Sequence, residues 1–359
     1  VTVLLGIETS CDETAAAVVT AGENGVPVVR SSIVASQHDT HAPFGGVVPE
    51  LAARAHVERI DVVVLAALDD AGVGVADLDG VAVTAGPGLA GALHVGVAAA
   101  KGICVATGLP LFGVHHLVAH LWANRIADPD LRTPAVALLV SGGHTLLLHV
   151  HGDDGADGDD GDVPLGDLRV AVLGGTVDDA VGEAYDKVAR MMGLGYPGGP
   201  VIDRLAADGD PDAVALPRAM RHDGVDFSFS GLKTAVVQAV RRADAAGTPI
   251  APQDLAASFQ AAVVDVLVDK TMRAVRDTGV DQVAVGGGVA ANSALRRHIT
   301  DACDAAGVRV AVPPPALCGD NAAMIAAAAV GRARRGDADP LDLPVRPTWP
   351  LPAAPGAAR

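Results

Sequence analysis

One plan is laid out twice along this chain, and it leaves few folds open. Near the start, Val3–Glu8 reads as an apolar strand, Thr9-Ser10-Cys11-Asp12 as a polar turn and Ala15–Thr20 as a returning strand. A third strand over 26–34 follows the Gly22–Gly25 turn. Halfway along, Ala135–Val140, Ser141-Gly142-Gly143-His144 and Thr145–Val150 repeat the hairpin. Each hairpin is later followed by a strand, a glycine turn and a helix. In the first half these are Gly80–Thr84, Gly86–Gly91 and a helix to about Thr107; in the second, Gln282–Val285, Gly286–Gly288 and a helix from Asn292 to about Ala306. Such alternation predicts mixed sheets with helices on their faces. At 359 residues the chain exceeds one ordinary core, so two lobes are expected.

Two hairpin-led halves of this kind describe an α/β, two-lobed, actin/hexokinase-like (ASKHA) fold: a duplicated mixed sheet flanked by helices, with nucleotide in an interlobe cleft. The expected boundaries are 1–131 plus about 321–349 for lobe I, which carries the histidines described below, and 132–320 for lobe II. A mobile tail is expected over 350–359. A last helix over 321–335, stopped by Gly336, should cross back to the first lobe. The segment 151–162, HGDDGADGDDGD, is a polar Asp/Gly insertion without the frame or final Glu of an EF-hand.

Half of the residues are apolar but only 3% are aromatic, so packing must rest on Ala, Val and Leu. No uninterrupted apolar run reaches the roughly 18 residues of a spanning helix, and the first residues read as a buried strand rather than a signal peptide. Cys11, Cys104, Cys303 and Cys318 are scattered, without a Cys-x-x-Cys. A cytoplasmic protein with reduced thiols and no membrane partner is expected. The net charge of −17 repels polyanions, so a nucleic-acid partner would need a local basic patch.

His116 and His120 stand four residues apart in a run that reads as the start of a helix, which places both imidazoles on one face. Such a pair can share one metal ion, or be plain helix neighbours; Asp320 is a candidate oxygen ligand. The turn over Leu139, Val140, Ser141, Gly142 and Gly143 suits phosphate, with backbone N–H groups converging beside small residues, though an ordinary glycine hairpin would look the same. Gly286–Gly288 lets a flat ligand lie against backbone, and Asn292 either caps the next helix or bonds a ribose or base. Asp178, Asp179, Glu183 and Asp186 fall at helical spacing, before a Pro-Gly-Gly-Pro turn and Asp203 on a new helix. Asp226–Lys233 holds two of the five phenylalanines, as packing between lobes or as the floor of a substrate cleft.

These motifs, in this order, resemble the TsaD/Gcp family: Ile7–Thr14, Gly45–Glu50, Ala85–Leu89, His115–His120, Leu139–Thr145, Tyr196–Pro200, Phe227–Lys233, Gly286–Asn292 and Cys318–Asn321. The resemblance covers nearly the whole chain. It implies a tRNA N6-adenosine threonylcarbamoyltransferase that moves the threonylcarbamoyl group from threonylcarbamoyl-adenylate to N6 of the adenosine 3′ of the anticodon in tRNAs reading ANN codons. It further implies that His116, His120 and Asp320 hold one divalent metal, Fe²⁺ or Zn²⁺. Leu139–Gly143, Asp186, Gly199, Asp203 and Asn292 match positions that bind the adenylate. Two departures stand out: Gly175, where members often carry Glu, and the length of the 151–162 insertion. Implied partners are tRNA, a TsaB-like paralogue docking on the first lobe and a TsaE-like ATPase.

No Ser/His/Asp or Cys/His nucleophile arrangement is visible, so direct attack is expected, with Glu8, Asp12 and Asp186 the nearby acids for the released proton; Glu8 and Asp12 are the catalytic candidates. A metallopeptidase is disfavoured because Leu117, Val118 and Ala119 lie between the histidines, where a zincin places its Glu. A sugar-kinase-like or chaperone-like ATPase would use Glu8 or Asp12 for Mg²⁺, but the histidine pair suits that ion poorly. Arg218, Arg221, Lys233, Arg241, Arg242, Arg296 and Arg297 are the candidate tRNA-facing cations.

Overall fold

A computed structural model describes residues 1–152, 163–165 and 168–353. Most of the 151–162 insertion, and the tail from 354, lie outside the described residues. The chain divides into two compact units: residues 1–131, 151–170 and 313–352 form the first, and residues 132–150, 171–312 and 353–359 the second. The return to the first unit begins at Pro313 rather than near 321, so Asp320 belongs with the histidines.

The first unit holds a five-stranded sheet in the order β3-β2-β1-β4-β5, from β1 (Thr2–Glu8), β2 (Glu13–Ala21), β3 (Pro27–Ser36), β4 (Gly80–Gly86) and β5 (Leu111–His115). β1, β2 and β3 pair antiparallel, while β4 joins β1 and β5 in parallel. A short helix α1 (His38–His41) leads toward the long α2 (Pro49–Ala71); α3 (Ala90–Thr107) follows β4 and α4 (His116–Ala127) follows β5. Alternation along β1 sends Leu5 and Ile7 to one face, into a core with Ile60 and Val64 of α2 and Val97 and Ala100 of α3. α3 is apolar and long enough to cross a membrane by composition, yet Ala92, Leu93, Val97, Ala100 and Cys104 are buried in this unit.

Gly6, on the opposite face, has a reason to be glycine. A Cβ there would sit 2.2 Å from the Ala322 carbonyl, so α11 (Ala322–Arg335) can lie against the strand only because the side chain is missing. Asn321 caps that helix by accepting from Met324 N at 3.0 Å.

The second unit carries most of a six-stranded sheet made of β6 (Ala135–Val140), β7 (Thr145–Gly152), β8 (Val163–Leu165), β9 (Leu168–Gly175), β10 (Gln282–Gly286) and β11 (Arg309–Ala311), in the order β11-β10-β6-β7-β9-β8. β6 pairs antiparallel with β7 and parallel with β10, as β1 does with β2 and β4. Its helices are α5 (Val181–Met191), α6 (Gly198–Ala206), α7 (Ser230–Ala245), α8 (Pro252–Thr278) and α9 (Ser293–Ala306); α10 (Pro315–Cys318) leads to Asp320 in the first unit. The Asp178–Asp186 run is not one helix. α5 begins only at Val181, and Asp178 instead accepts hydrogen bonds from Phe229 N (2.8 Å), Ser230 N (3.2 Å) and both serine hydroxyls at the start of α7. Phe227 and Phe229 stack at 6.1 Å and are buried, so that aromatic stretch is core.

Candidate functional site

β5 runs into α4 with no intervening loop, which delivers His116 as the first helical residue and His120 one turn later. Their rings meet edge to face at 5.0 Å. Asp320 Oδ1 lies 3.5 Å from His116 Nε2 and 3.4 Å from His120 Nε2, and one ligand atom from each residue fits within 4.8 Å. Two imidazoles and one carboxylate form a donor set suited to a divalent transition metal.

The remaining nitrogens test that fit. His116 Nδ1 is 2.9 Å from Glu8 Oε2, which also accepts from Thr84 Oγ1 at 2.6 Å, while Glu8 Oε1 accepts from Ser10 N. A carboxylate on Nδ1 fixes the proton there and leaves Nε2 as an electron-pair donor toward Asp320. Among the described residues, both ring nitrogens of His120 are buried without a hydrogen-bond partner. A buried imidazole that hydrogen bonds leave unmatched is costly unless a ligand engages it, and a metal ion at Nε2 supplies that. These residues fit a metal.

Glu8 is fully buried, and its two oxygens are engaged by Ser10 N, Thr84 Oγ1 and His116 Nδ1. Burial pulls its carboxyl upward, but the charge and hydrogen bond of His116 outweigh this and hold it below the usual range. His116 is driven the other way. Burial lowers it, and Asp320 and Glu8 together lift it to about 9 in the metal-free chain. Asp12 stands half-exposed on the turn, next to Glu13, whose carboxyl is pushed up to about 10 by burial and by Asp320 and Asp12. Sequence reasoning missed Ser10 and Thr84 as partners of this centre: Ser10 Oγ lies 3.2 Å from His116 Nδ1. Thr84 sits in an apolar strand with nothing to mark it.

In the second unit, Leu139 and Val140 are buried on β6 and the next three residues form the turn. Ser141 Oγ accepts from His144 N at 3.1 Å, and Gly182 N donates to Ser141 O at 3.1 Å, setting the start of α5 against the turn. A Cβ on Gly182 would stand 2.7 Å from Gly142 Cα, whereas one on Gly142 or Gly143 would meet nothing within 4 Å among the described residues, so the turn is open on its other side. Gly287, at φ +90°, would press a Cβ to 2.4 Å from Val140 O.

Asp186 Oδ1 accepts from Gly198 N at 2.7 Å and so caps α6; a Cβ on Gly199, the next residue, would meet open space. Asp203 accepts from Ser293 N (3.0 Å) and Oγ (2.8 Å), joining α6 to α9. Asn292 caps α9 through Leu295 N (2.9 Å) and donates to Gln260 Oε1 (2.7 Å). Gln260 is a buried partner that the sequence did not reveal. Among the basic candidates, Arg218 pairs with Asp265 at 3.0 Å and Arg221 with Asp269, so α8 neutralises both. Lys233, Arg241, Arg242 and Arg297 are exposed, and Arg296 is partly so.

Two units, each led by a hairpin and completed by a parallel strand, define the actin/hexokinase-type fold. Solved structures of the same build include HypF from T. kodakarensis (TM-score 0.58, 15% identity, 96% of this chain and 49% of that one). Another is the activator of 2-hydroxyisocaproyl-CoA dehydratase from Clostridium difficile (TM-score 0.52, 15% identity, 94% and 97%). Residues 28–327 match the family TsaD, tRNA N6-adenosine threonylcarbamoyltransferase, and the chain belongs to that family. Proteins of that name from Trichlorobacter lovleyi and Geobacillus kaustophilus are 50% and 52% identical to it. The matches cover 97% of this chain in both cases, and 97% and 96% of those proteins.

Proposed function

We propose that this protein transfers the threonylcarbamoyl group from threonylcarbamoyl-adenylate to N6 of the adenosine 3′ of the anticodon, in tRNAs reading ANN codons. The observation that carries the reading is the His116–His120–Asp320 cluster with Glu8 behind it, in a chain of this family. The donor is a mixed anhydride. The N6 amine attacks its carbonyl carbon, the bond from that carbon to the phosphate oxygen breaks, AMP departs with the electron pair, and N6 gives up a proton.

The second unit holds the adenylate. Open glycines at 142 and 143 and the start of α5 receive its phosphate, while Asp186 and Gly199 at α6, Asp203, and Asn292 at α9 frame the nucleoside. When bound by His116, His120 and Asp320, Fe²⁺ or Zn²⁺ supplies a Lewis acid that polarises the donor. Glu8 keeps His116 in the ligating tautomer. Asp12 is the acid left to accept the N6 proton, because Glu8 is buried and fully bonded, the raised Glu13 carboxyl already holds one, and Asp186 is engaged at the start of α6. The protein works in the cytoplasm with a TsaB-like paralogue and a TsaE-like ATPase. The tRNA-facing cations are Lys233, Arg241 and Arg242 on α7 and Arg296 and Arg297 on α9, with Arg218 and Arg221 removed by their ion pairs.

Single-turnover transfer tests this. Wild type and a His116→Ala/His120→Ala variant are mixed with preformed adenylate, unmodified tRNA and the partner subunits, and modified nucleoside is scored by mass spectrometry. Wild type should transfer and the folded variant should not. Absence of transfer by wild type with intact donor would refute the reading.

A further inference from the structure

The first hairpin turn is held from behind by a chain of buried hydrogen bonds that the metal centre and the adenylate do not use. It starts at Val48, the residue before α2, and ends on the carbonyl of Cys11. His41, Gln37, His56 and Thr14 are all fully buried along it.

Each joint has one permitted direction. The Val48 N–H can only donate, so His41 Nδ1, 3.3 Å away, is unprotonated; the ring hydrogen is then on Nε2 and is given to Gln37 Oε1 at 3.1 Å. The Ala52 carbonyl can only accept, which turns the Gln37 amide nitrogen toward it (3.4 Å) and toward His56 Nδ1 (3.3 Å). His56 Nδ1 therefore accepts, also from Thr14 Oγ1 at 2.8 Å, and its Nε2–H donates to Cys11 O at 3.0 Å. Backbone groups fix the polarity at both ends and in the middle. The Gln37 N–H separately holds the Asp12 carbonyl at 3.0 Å. The Cys11 and Asp12 carbonyls are thus pinned by the same segment, and Ser10 at the head of the turn reaches His116.

We propose that Gln37, His41 and His56 are positioning residues for the transfer reaction, forming a one-way hydrogen-bond relay that ties the start of α2 to the Cys11 and Asp12 carbonyls and thereby fixes the turn that carries Asp12 and Glu13. A folding role alone would be served by apolar side chains, since a buried polar group is costly whenever its partner is lost. A fully matched polar chain with a single polarity specifies one placement of the turn, which packing of methyl groups does not. Burial holds the His56 ring below its ordinary range, in keeping with the neutral form the relay needs.

The proposal rests on the reading that Asp12 takes the N6 proton, and the test separates the two. His56→Phe keeps a flat, somewhat larger ring and loses all three hydrogen bonds; His56→Gln offers one acceptor and one donor in their place. His56→Phe should slow single-turnover transfer about tenfold or more, with the KM for the adenylate unchanged. Affinity for Zn²⁺ should stay within about twofold of wild type, because the turn carries no metal ligand. His56→Gln should recover most of the lost rate. A wild-type rate in His56→Phe, or equal losses in two folded variants, overturns the relay. If wild type itself fails to transfer, the functional reading falls and ring ¹⁵N shifts judge the relay alone. His41 and His56 both as neutral Nε2–H imidazoles at pH 7 support it; either ring as the Nδ1–H tautomer overturns it.

Discussion

Glu8→Gln should cost metal affinity without emptying the core. The carboxylate faces three donors: Ser10 N and Thr84 Oγ1, and the Nδ1–H of His116. A glutamine must turn its amide nitrogen to one side or the other. Turned toward Ser10, it sets two N–H groups against each other. Turned toward His116, it forces Nδ1 to accept, moves the ring proton to Nε2 and blocks the lone pair that faces Asp320. Thr84 can rotate its hydroxyl and adapts to either. Loss of such an orienting carboxylate typically weakens metal binding about 10- to 100-fold, equivalent to about 1.4–2.7 kcal/mol. The assay is competitive titration of the metal-free protein with Zn²⁺ against a chelator, alongside circular dichroism to show that the fold is kept. An affinity within about twofold of wild type in a folded Glu8→Gln protein would refute the tautomer argument.

Metal uptake should also release a proton. The metal-free His116 is raised from 6.5 to about 9, so its charge stabilises the apo fold fully below pH 6.5 and that contribution is lost as pH rises through 9. Apo melting temperature should therefore fall across that window while metal affinity rises, read by calorimetry in buffers of different ionisation enthalpy. Gly182→Ala would drive a Cβ to 2.7 Å from Gly142 Cα and Ser141 O, both backbone atoms, and so displace the turn over 141–143. Weaker AMP binding and a loss of about 1–3 kcal/mol in urea unfolding are expected. Asp178→Ala removes the acceptor for two backbone N–H groups at α7, and about 1 kcal/mol of stability should go with it. The hydrogen bonds hold the Asp178 carboxyl at about 2 against the burial that raises it. Its stabilisation is therefore present above pH 3.8 and lost as pH falls through 2. Charge reversal at Arg218 and Arg221 should leave the salt slope of tRNA binding unchanged while lowering the melting temperature, because Asp265 and Asp269 lose their partners.

The histidine pair was legible because helical spacing puts His116 and His120 on one face whatever surrounds them, and the two hairpins were legible because alternation and turn residues are local signals. Their strands extend one or two residues beyond the sequence estimates at some ends: β2 takes in Glu13 and Ala21, and β3 reaches Ser36. The acid run before α5 misled for the same reason that spacing usually works. Asp178 and Asp179 have helical periodicity with Glu183, but the chain bends at 176–180, and Asp178 is drawn to the distant start of α7. Partners brought together by tertiary folding were invisible. Thr84 and Glu8 are 76 positions apart, and the relay collects residues from β2, α1 and α2 with no shared period.

The close packing of Gly6 on Ala322 has a consequence for the order of events during synthesis. A ribosome releases β1 first and α11 some three hundred residues later, so the first unit is produced with one face of its sheet uncovered. His116 and His120 emerge together, but Asp320 follows only after nearly all of the second unit. That second unit is mostly one stretch, residues 171–312, and can collapse while its predecessor waits. Metal captured before the final helix arrives would meet two imidazoles and no carboxylate. The complete ligand set is thus a late product of translation, formed as the chain closes back on its own first strand.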